Sequence, residues 1–169
     1  MKVLGVAVSS GAIHYGALTA AEDTQDISHT PGAPERLMPA VGLTGTQRLG
    51  DTHQRIAQDL RVLQPDAVII VATRKNNQWV YREAFDRISL ISALMLSCVE
   101  QGITCEEWNT ERIGKLVGVS APKLALFDCK EVGFTQPPLY WTAGRGPAFA
   151  AAKAYAVEMS RESSEGQGL

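Results

Sequence analysis

The order of apolar segments predicts an α/β fold: a mixed sheet with three leading strands, flanked by helices. Two β-prone segments separated by Ser10-Gly11 predict a hairpin at the start of the chain. A continuous run rich in β-branched residues at 67–72 predicts a strand buried on both faces. Helical periodicity at 47–63 and a long helix at 80–100 on the other side of that run predict that helices cover the sheet.

Length and composition indicate one folded domain. The chain has 169 residues, of which 45% are hydrophobic and 20% charged, and this composition excludes extended disorder. We predict a domain over 1–162 and a flexible tail over 163–169. The formal charge of -2 means that any nucleic-acid role needs a local basic patch, because phosphate binding depends on cations.

Targeting signals and cysteine pairs are not expected. The strongly apolar run at 88–99 is interrupted by serines and is shorter than the roughly 20 residues that span a bilayer. No cleavage site follows Met1-Lys2, so we expect a cytoplasmic protein without a membrane partner. Three cysteines without a CxxC pair suggest reduced thiols rather than disulfides or a zinc site.

The first third of the chain is read as hairpin, loop and third strand. Segment 3–9 is apolar and β-prone, and segment 13–19 alternates with its neighbours as a paired strand does. Acids, prolines and a glycine predict a loop over 21–36, and a short apolar stretch predicts a third strand at 37–43. A turn at 44–46 then precedes the first helix.

The middle of the chain is read as helix, strand, helix and strand. Apolar residues recur every three, four or seven positions over 47–63, which predicts an amphipathic helix. Gln64-Pro65-Asp66 ends it before the central strand at 67–72. A long helix over 80–100 ends at Gly102, and 103–108 forms another short strand.

The last third is read as two helices around an irregular segment. Asn109 or Thr110 can cap a short helix that runs to Val117. Residues 118–143 lack a periodic pattern. The turn at 144–147, with its proline, then leads into an alanine-rich helix ending near Arg161.

This order of elements resembles the ribonuclease H-like fold and, within it, the RuvC-type Holliday-junction resolvases. The first strand of that family reads as two apolar residues followed by Gly, Ile, Asp, Pro, Gly and Ser. Residues 3–10 read VLGVAVSS here, and the segment QPDAVII at 64–70 is similar to a helix-to-strand join of the family. The resemblance covers most of the chain and implies the family's fold and a DNA or RNA partner.

The resemblance also implies that the chain lacks the metal-binding acids of the family. In the family, acids on the first strand, at the end of the fourth strand and at the final helix bind two divalent cations. The equivalent positions here are Ala7 and Val71 or Ala72, and 144–152 contains no acid. Methyl and isopropyl groups cannot coordinate Mg²⁺, which takes oxygen ligands. We therefore assign no catalytic residue, no metal ligand and no cofactor.

Acids elsewhere leave one alternative open. Asp66, Asp128 and Glu131 could form a relocated site for Mg²⁺ or Mn²⁺, in which case the protein would be an active nuclease. Turn caps and solvated loop charges are the commoner roles of such residues. Likewise, the glycine turn at 144–147 could bind an anion, but the missing GxGxxG pattern favours a structural turn.

A basic and aromatic cluster follows the central strand. It combines cations and amides with aromatic rings at the carboxyl edge of the sheet, where α/β proteins commonly bind ligands. This combination suits phosphate contacts and base stacking, and the corresponding loop of RuvC-like proteins approaches DNA. The alternative is a solvated loop whose aromatic residues pack on the next helix. The candidate nucleic-acid-binding residues are Arg74, Lys75, Asn76, Asn77, Trp79 and Arg82.

Three functions remain after these comparisons. The first is a catalytically degenerate RuvC-like protein that serves as a nucleic-acid-binding or assembly module. The second is the metal-dependent nuclease with relocated acids, and the third is a homo-oligomeric scaffold that binds no nucleic acid. The helix over 80–100 is apolar around much of its circumference, so a second surface must cover it. That surface would be the final helix or a second subunit, and we expect a homodimer.

Overall fold

A computed structural model describes residues 1–21, 26–74 and 78–166 of the chain. Its strands are β1 (Lys2–Ser9), β2 (Ala12–Ala20), β3 (Ile27–His29), β4 (Arg36–Leu37), β5 (Ala67–Val71) and β6 (Thr104–Trp108). Its helices are α1 (Gly45–Leu63), α2 (Tyr81–Glu100), α3 (Thr110–Val117) and α4 (Gly146–Gly166). Within the described ranges, no helix is both long and apolar enough to cross a membrane.

The strands form one mixed sheet, which confirms the predicted fold class. Their order is β3-β2-β1-β5-β6, and β4 pairs with β2. Strand β1 is antiparallel to β2 and parallel to β5, which is in turn parallel to β6. Positive φ angles at Ser10 and Gly11 give the tight turn that joins β1 to β2. The carboxyl ends of β1, β5 and β6 therefore meet at one edge of the sheet.

The connection before α1 differs from the sequence prediction. Strand β3 lies within the segment predicted as a loop, where three residues pair with the end of β2. Of the stretch 37–43 predicted as a third strand, only Leu37 is in a strand, paired with Ile13. Pro39 lacks the N–H that a strand ladder needs, and Gly42 adopts a positive φ, so the pairing stops early.

Helices cover both faces of the sheet and create two cores. One core lies between the sheet and the pair α1 and α2, and contains Leu4, Val68 and Leu94. The other lies under α3, α4 and the segment 118–145, and contains Ile69 and Phe149. The segment 118–143, which was predicted as irregular, packs on this face of the sheet. It includes the short helical turns Ala121–Leu126 and Cys129–Val132.

Helix α4 lies directly on the glycine pair of the central hairpin. Gly5 of β1 faces Gly16 of β2 in the antiparallel register. A Cβ atom at Gly5 would lie 1.7 Å from the carbonyl oxygen of Ala148, and one at Gly16 would lie 2.4 Å from the amide nitrogen of Phe149. The backbone of α4 can approach the sheet this closely only because both positions lack side chains.

The final helix is longer than the sequence indicates. It continues past Arg161 to Gly166, so 163–166, which were predicted to belong to a tail, are helical. The hydroxyls of Ser163 and Ser164 donate hydrogen bonds to carbonyls one turn earlier, at 2.9 and 3.0 Å. Such bonds within the helix satisfy polar groups that would otherwise favour a turn. Residues 167–169 lie outside the described residues.

The glycine contact predicts a sharp difference between two Gly→Ala substitutions. Gly5→Ala should lower the free energy of unfolding by at least about 3 kcal/mol, because the new methyl group overlaps the backbone of α4. Gly50→Ala, in α1 with no atom within 4 Å of the new methyl group, should raise it by about 0.5–1 kcal/mol through helix propensity. Urea unfolding of both variants measures these changes, and equal effects would contradict the packing described.

Candidate functional site

The positions that the resemblance assigns to metal-binding acids lie side by side at the carboxyl edge of the sheet. Ala7 follows Val6 and Val71 follows Ile70, and Val6 and Ile70 are partners in the parallel register of β1 and β5. Ala7 is 7% exposed, and Val71 packs against the core under α4. These two positions therefore continue the hydrophobic packing.

A buried histidine closes this region from the neighbouring strand. His14 pairs with Ala7 across the hairpin and is 1% exposed. The ring packs against Gly144, where a Cβ atom would lie 2.4 Å from His14 Cδ2. Neither ring nitrogen meets a hydrogen-bond partner in the part of the chain that the structure describes. Among the described residues, no group of three or more His, Cys, Asp or Glu side chains could hold a metal ion.

The surroundings keep His14 neutral. Burial is the main cause that lowers the pKa of His14, because a charged imidazolium loses its hydration inside the protein. The positive charges of Arg36 and Arg145 lower this pKa further, and the backbone of Ser9 opposes part of the shift. The region beside Ala7 thus contains a neutral ring with two guanidinium groups nearby.

The three acids considered for a relocated site have separate partners. Asp66 accepts a hydrogen bond at 2.6 Å from the amide of Lys2. Lys2 begins β1, so this carboxylate lies roughly 16 Å from Ala7, five residues further along the strand. Asp128 caps a helical turn by accepting from the amide of Lys130 at 3.0 Å, and Glu131 pairs with Lys153. Each carboxylate therefore has a structural contact of its own.

The basic cluster after β5 is only partly free for a ligand. Arg74 forms an ion pair with Glu111, in the first turn of α3. Trp79 is half-buried, and Arg82 is exposed. The remaining candidates Lys75, Asn76 and Asn77 lie outside the described residues.

Arg87 is a cation of this region that the sequence analysis missed. Its guanidinium lies 5.2 Å from the centre of the Trp79 ring, and its Nε donates to Thr73 Oγ1 at 2.6 Å. Burial lowers the pKa of Arg87. It lies in the second turn of α2, within the stretch predicted as a helix, and the sequence analysis gave it no role. A cavity of ≈ 260 Å³ joins Trp79 and Arg87 to the turn between β1 and β2.

An apolar groove lies between α1 and α2. It has a volume of ≈ 690 Å³, and its walls include Leu49, Phe85, Ile88 and Leu96, each at least 47% exposed. Helix α4 does not cover α2, because the two helices pack on opposite faces of the sheet. The prediction that the final helix covers the second side of α2 is therefore wrong.

Several solved structures with a similar fold are Holliday-junction resolvases. The chain is similar to T. thermophilus RuvC in complex with a Holliday junction substrate, with a TM-score of 0.77, 17% identity and coverage of 95% of this chain and 96% of that one. A second structure of Thermus thermophilus RuvC gives 0.73, 15% identity and coverage of 96% and 97%. The yeast mitochondrial Holliday junction resolvase Ydc2 gives 0.55, 12% identity and coverage of 99% and 84%.

The likeness lies in the fold, because all of these identities are low. No family model matches the chain, and no curated protein matches it by sequence. The structural similarity alone shows that the chain has a RuvC-like fold, as the resemblance implied.

Neutral His14 predicts a pH-dependent stability. Its pKa in the folded protein is below the ordinary 6.5, so the unfolded chain binds an extra proton as the pH falls through this range. The free energy of unfolding should therefore fall between about pH 6.5 and the lower native pKa, and His14→Leu should reduce this slope. Urea unfolding at several pH values measures both proteins. Equal slopes would contradict a buried neutral imidazole.

Proposed function

We propose that this chain is a catalytically degenerate RuvC-like protein that binds branched DNA without cleaving it. One observation carries the proposal. The fold of the resolvases extends over 95% of the chain, while apolar Ala7 and Val71 stand at positions where the resemblance expects acids. A two-metal nuclease needs anionic oxygen ligands to hold its cations. On this proposal, binding requires neither Mg²⁺ nor Mn²⁺.

Side chains at the carboxyl edge of β5 support the binding part of the proposal. Arg82 and the ion-paired Arg74 are exposed, so their guanidinium groups can reach phosphates. Trp79 offers a ring for base stacking, and Arg87 holds that ring in place from α2. Glu111 competes with phosphate for Arg74, so it should weaken binding.

The groove between α1 and α2 supports a homodimer. Phe85 and Ile88 are 57% and 62% exposed on α2, beside Leu49 of α1. Contiguous apolar surface of this kind commonly marks a protein interface. A symmetric dimer would place two copies of this face against each other and cover α2 on its second side.

The proposal predicts binding of a four-way DNA junction without cleavage. A gel-shift titration in EDTA should show a complex at low salt, and incubation with Mg²⁺ or Mn²⁺ should leave the strands intact. Replacing both Arg74 and Arg82 by alanine should reduce the slope of log affinity against log salt by roughly 2. Trp79→Ala should cost about 1–3 kcal/mol with little change in slope, since stacking is not ionic.

Two further variants sharpen this experiment. Glu111→Gln should strengthen binding, because it frees Arg74 from its ion pair. Arg61→Ala is the matched control: this arginine lies in the last turn of α1, at the opposite edge of the sheet, and should leave binding unchanged. Metal-dependent cleavage abolished by substituting Asp66, Asp128 or Glu131 would instead establish the relocated nuclease. If no complex with DNA forms at low salt, the homo-oligomeric scaffold would be the remaining candidate function.

The groove predicts that one charge on α2 separates the dimer. Light scattering at tens of micromolar should give about twice the chain mass of 18.2 kDa for the unmodified protein. Ile88→Glu should give a monomer, since it would bury an unpaired carboxylate. Val62→Glu, at a 68% exposed position of α1 outside the groove, is the control and should remain dimeric. A monomeric unmodified protein would contradict the proposal.

A further inference from the structure

A second polar cavity lies beside the outer strands, away from the Trp79 loop. Its volume is ≈ 310 Å³, and it lies between the connection 29–35 and the first turn of α4. Its charged and polar lining side chains are those of Arg145, Glu35, His29 and Thr30. This volume is at the lower end of ligand-binding pockets, so it suits a small group.

Arg145 is a buried guanidinium whose polar contacts with the described residues are all long. The residue is 5% exposed, and burial is the main cause that lowers its pKa. Its Nε donates to the carbonyl of Tyr15 at 3.5 Å, and Nη1 to that of Leu139 at 3.4 Å. The carboxylate of Glu35 lies 3.5 Å from Nη1. Charged N–H···O bonds are normally about 2.7–2.9 Å long, so the guanidinium retains capacity for a stronger partner.

Glu35 approaches Arg145 from the solvent side of the cavity. Its side chain is 55% exposed, whereas that of Arg145 is 6% exposed. Among the described residues that line the cavity, Glu35 is the one carboxylate. An exposed side chain can rotate away at small cost, because its ion pair is weak in solvent. The anion that now neutralises Arg145 is therefore replaceable.

His29 adds a fixed polar group to the same cavity. Its Nδ1 lies 3.0 Å from the carbonyl of Val132, so this nitrogen must be the donor. The ring also stacks on Phe134, with centres 4.0 Å apart. In the neutral ring, Nε2 is then an acceptor, so it can accept a hydrogen bond from a hydroxyl group of a ligand.

We propose that this cavity binds a phosphate group through Arg145. Phosphate oxygens match the planar fork of a guanidinium, and a dianion would replace the long contact with Glu35 by short, bidentate hydrogen bonds. A hydroxyl-bearing group attached to the phosphate would lie toward His29. The inference uses no residue of the Trp79 loop, so it stands apart from the proposed binding of DNA there.

Titration calorimetry with inorganic phosphate at constant ionic strength tests the proposal. The unmodified protein should bind one phosphate, and Arg145→Gln should weaken this binding at least about tenfold by removing the fork. Glu35→Gln should strengthen it, because the carboxylate that competes with phosphate for Arg145 is removed. Arg36→Gln is the matched control: its guanidinium stacks on Tyr140 at 3.8 Å and does not line the cavity.

Several results would overturn the proposal. The first is that the unmodified protein gives no heat of binding with phosphate. The second is that Arg145→Gln binds phosphate as tightly as the unmodified protein. The third is that Glu35→Gln binds phosphate with unchanged or weaker affinity. The Glu35 variant keeps the test valid if Arg145→Gln fails to fold. Junction binding by Arg145→Gln then separates two sources of the phosphate. A loss of affinity would assign it to a nucleic-acid backbone, and an unchanged affinity with lost phosphate binding would assign it to a small phosphorylated molecule.

Discussion

The contact between the backbone of α4 and the glycine pair Gly5 and Gly16 organises the rest of the structure. It brings the first turn of α4 against the middle of β1 and β2. The residues just before that turn are thereby placed over the hairpin, with Gly144 on the ring of His14 and Arg145 against the backbone of Tyr15. Both the closed carboxyl edge and the cavity beside Arg145 result from this one approach.

The charges near the carboxyl edge differ in kind from those of a two-metal site. Apolar side chains at Ala7 and Val71 provide no ligand for a cation, and His14 is neutral because burial and nearby guanidinium groups disfavour its proton. Fixed positive charge comes instead from Arg36 and Arg145. Side chains of this type can hold an anion, but they cannot activate a water molecule as a bound metal does.

The two faces of the sheet are covered to different extents. Helix α4 and the segment 118–145 seal one face, whereas α1 and α2 leave an apolar groove on the other. Sequence periodicity showed that α2 carries too much apolar surface for one partner. It did not show which partner was missing, because the side of the sheet on which α4 packs depends on long-range contacts. This asymmetry leaves the groove between α1 and α2 as exposed apolar surface.

The sequence by itself determined the mixed sheet, the hairpin turn at Ser10-Gly11 and the absence of acids at Ala7 and Val71, because these follow from local patterns and from residue identity. Only the tertiary structure decided that Arg74 is paired with Glu111 and that Arg145 is buried, because their partners come from distant segments. Glycines inside strands do suggest a close backbone approach. Packing across the sheet determines which helix makes that approach, and local sequence patterns do not predict it.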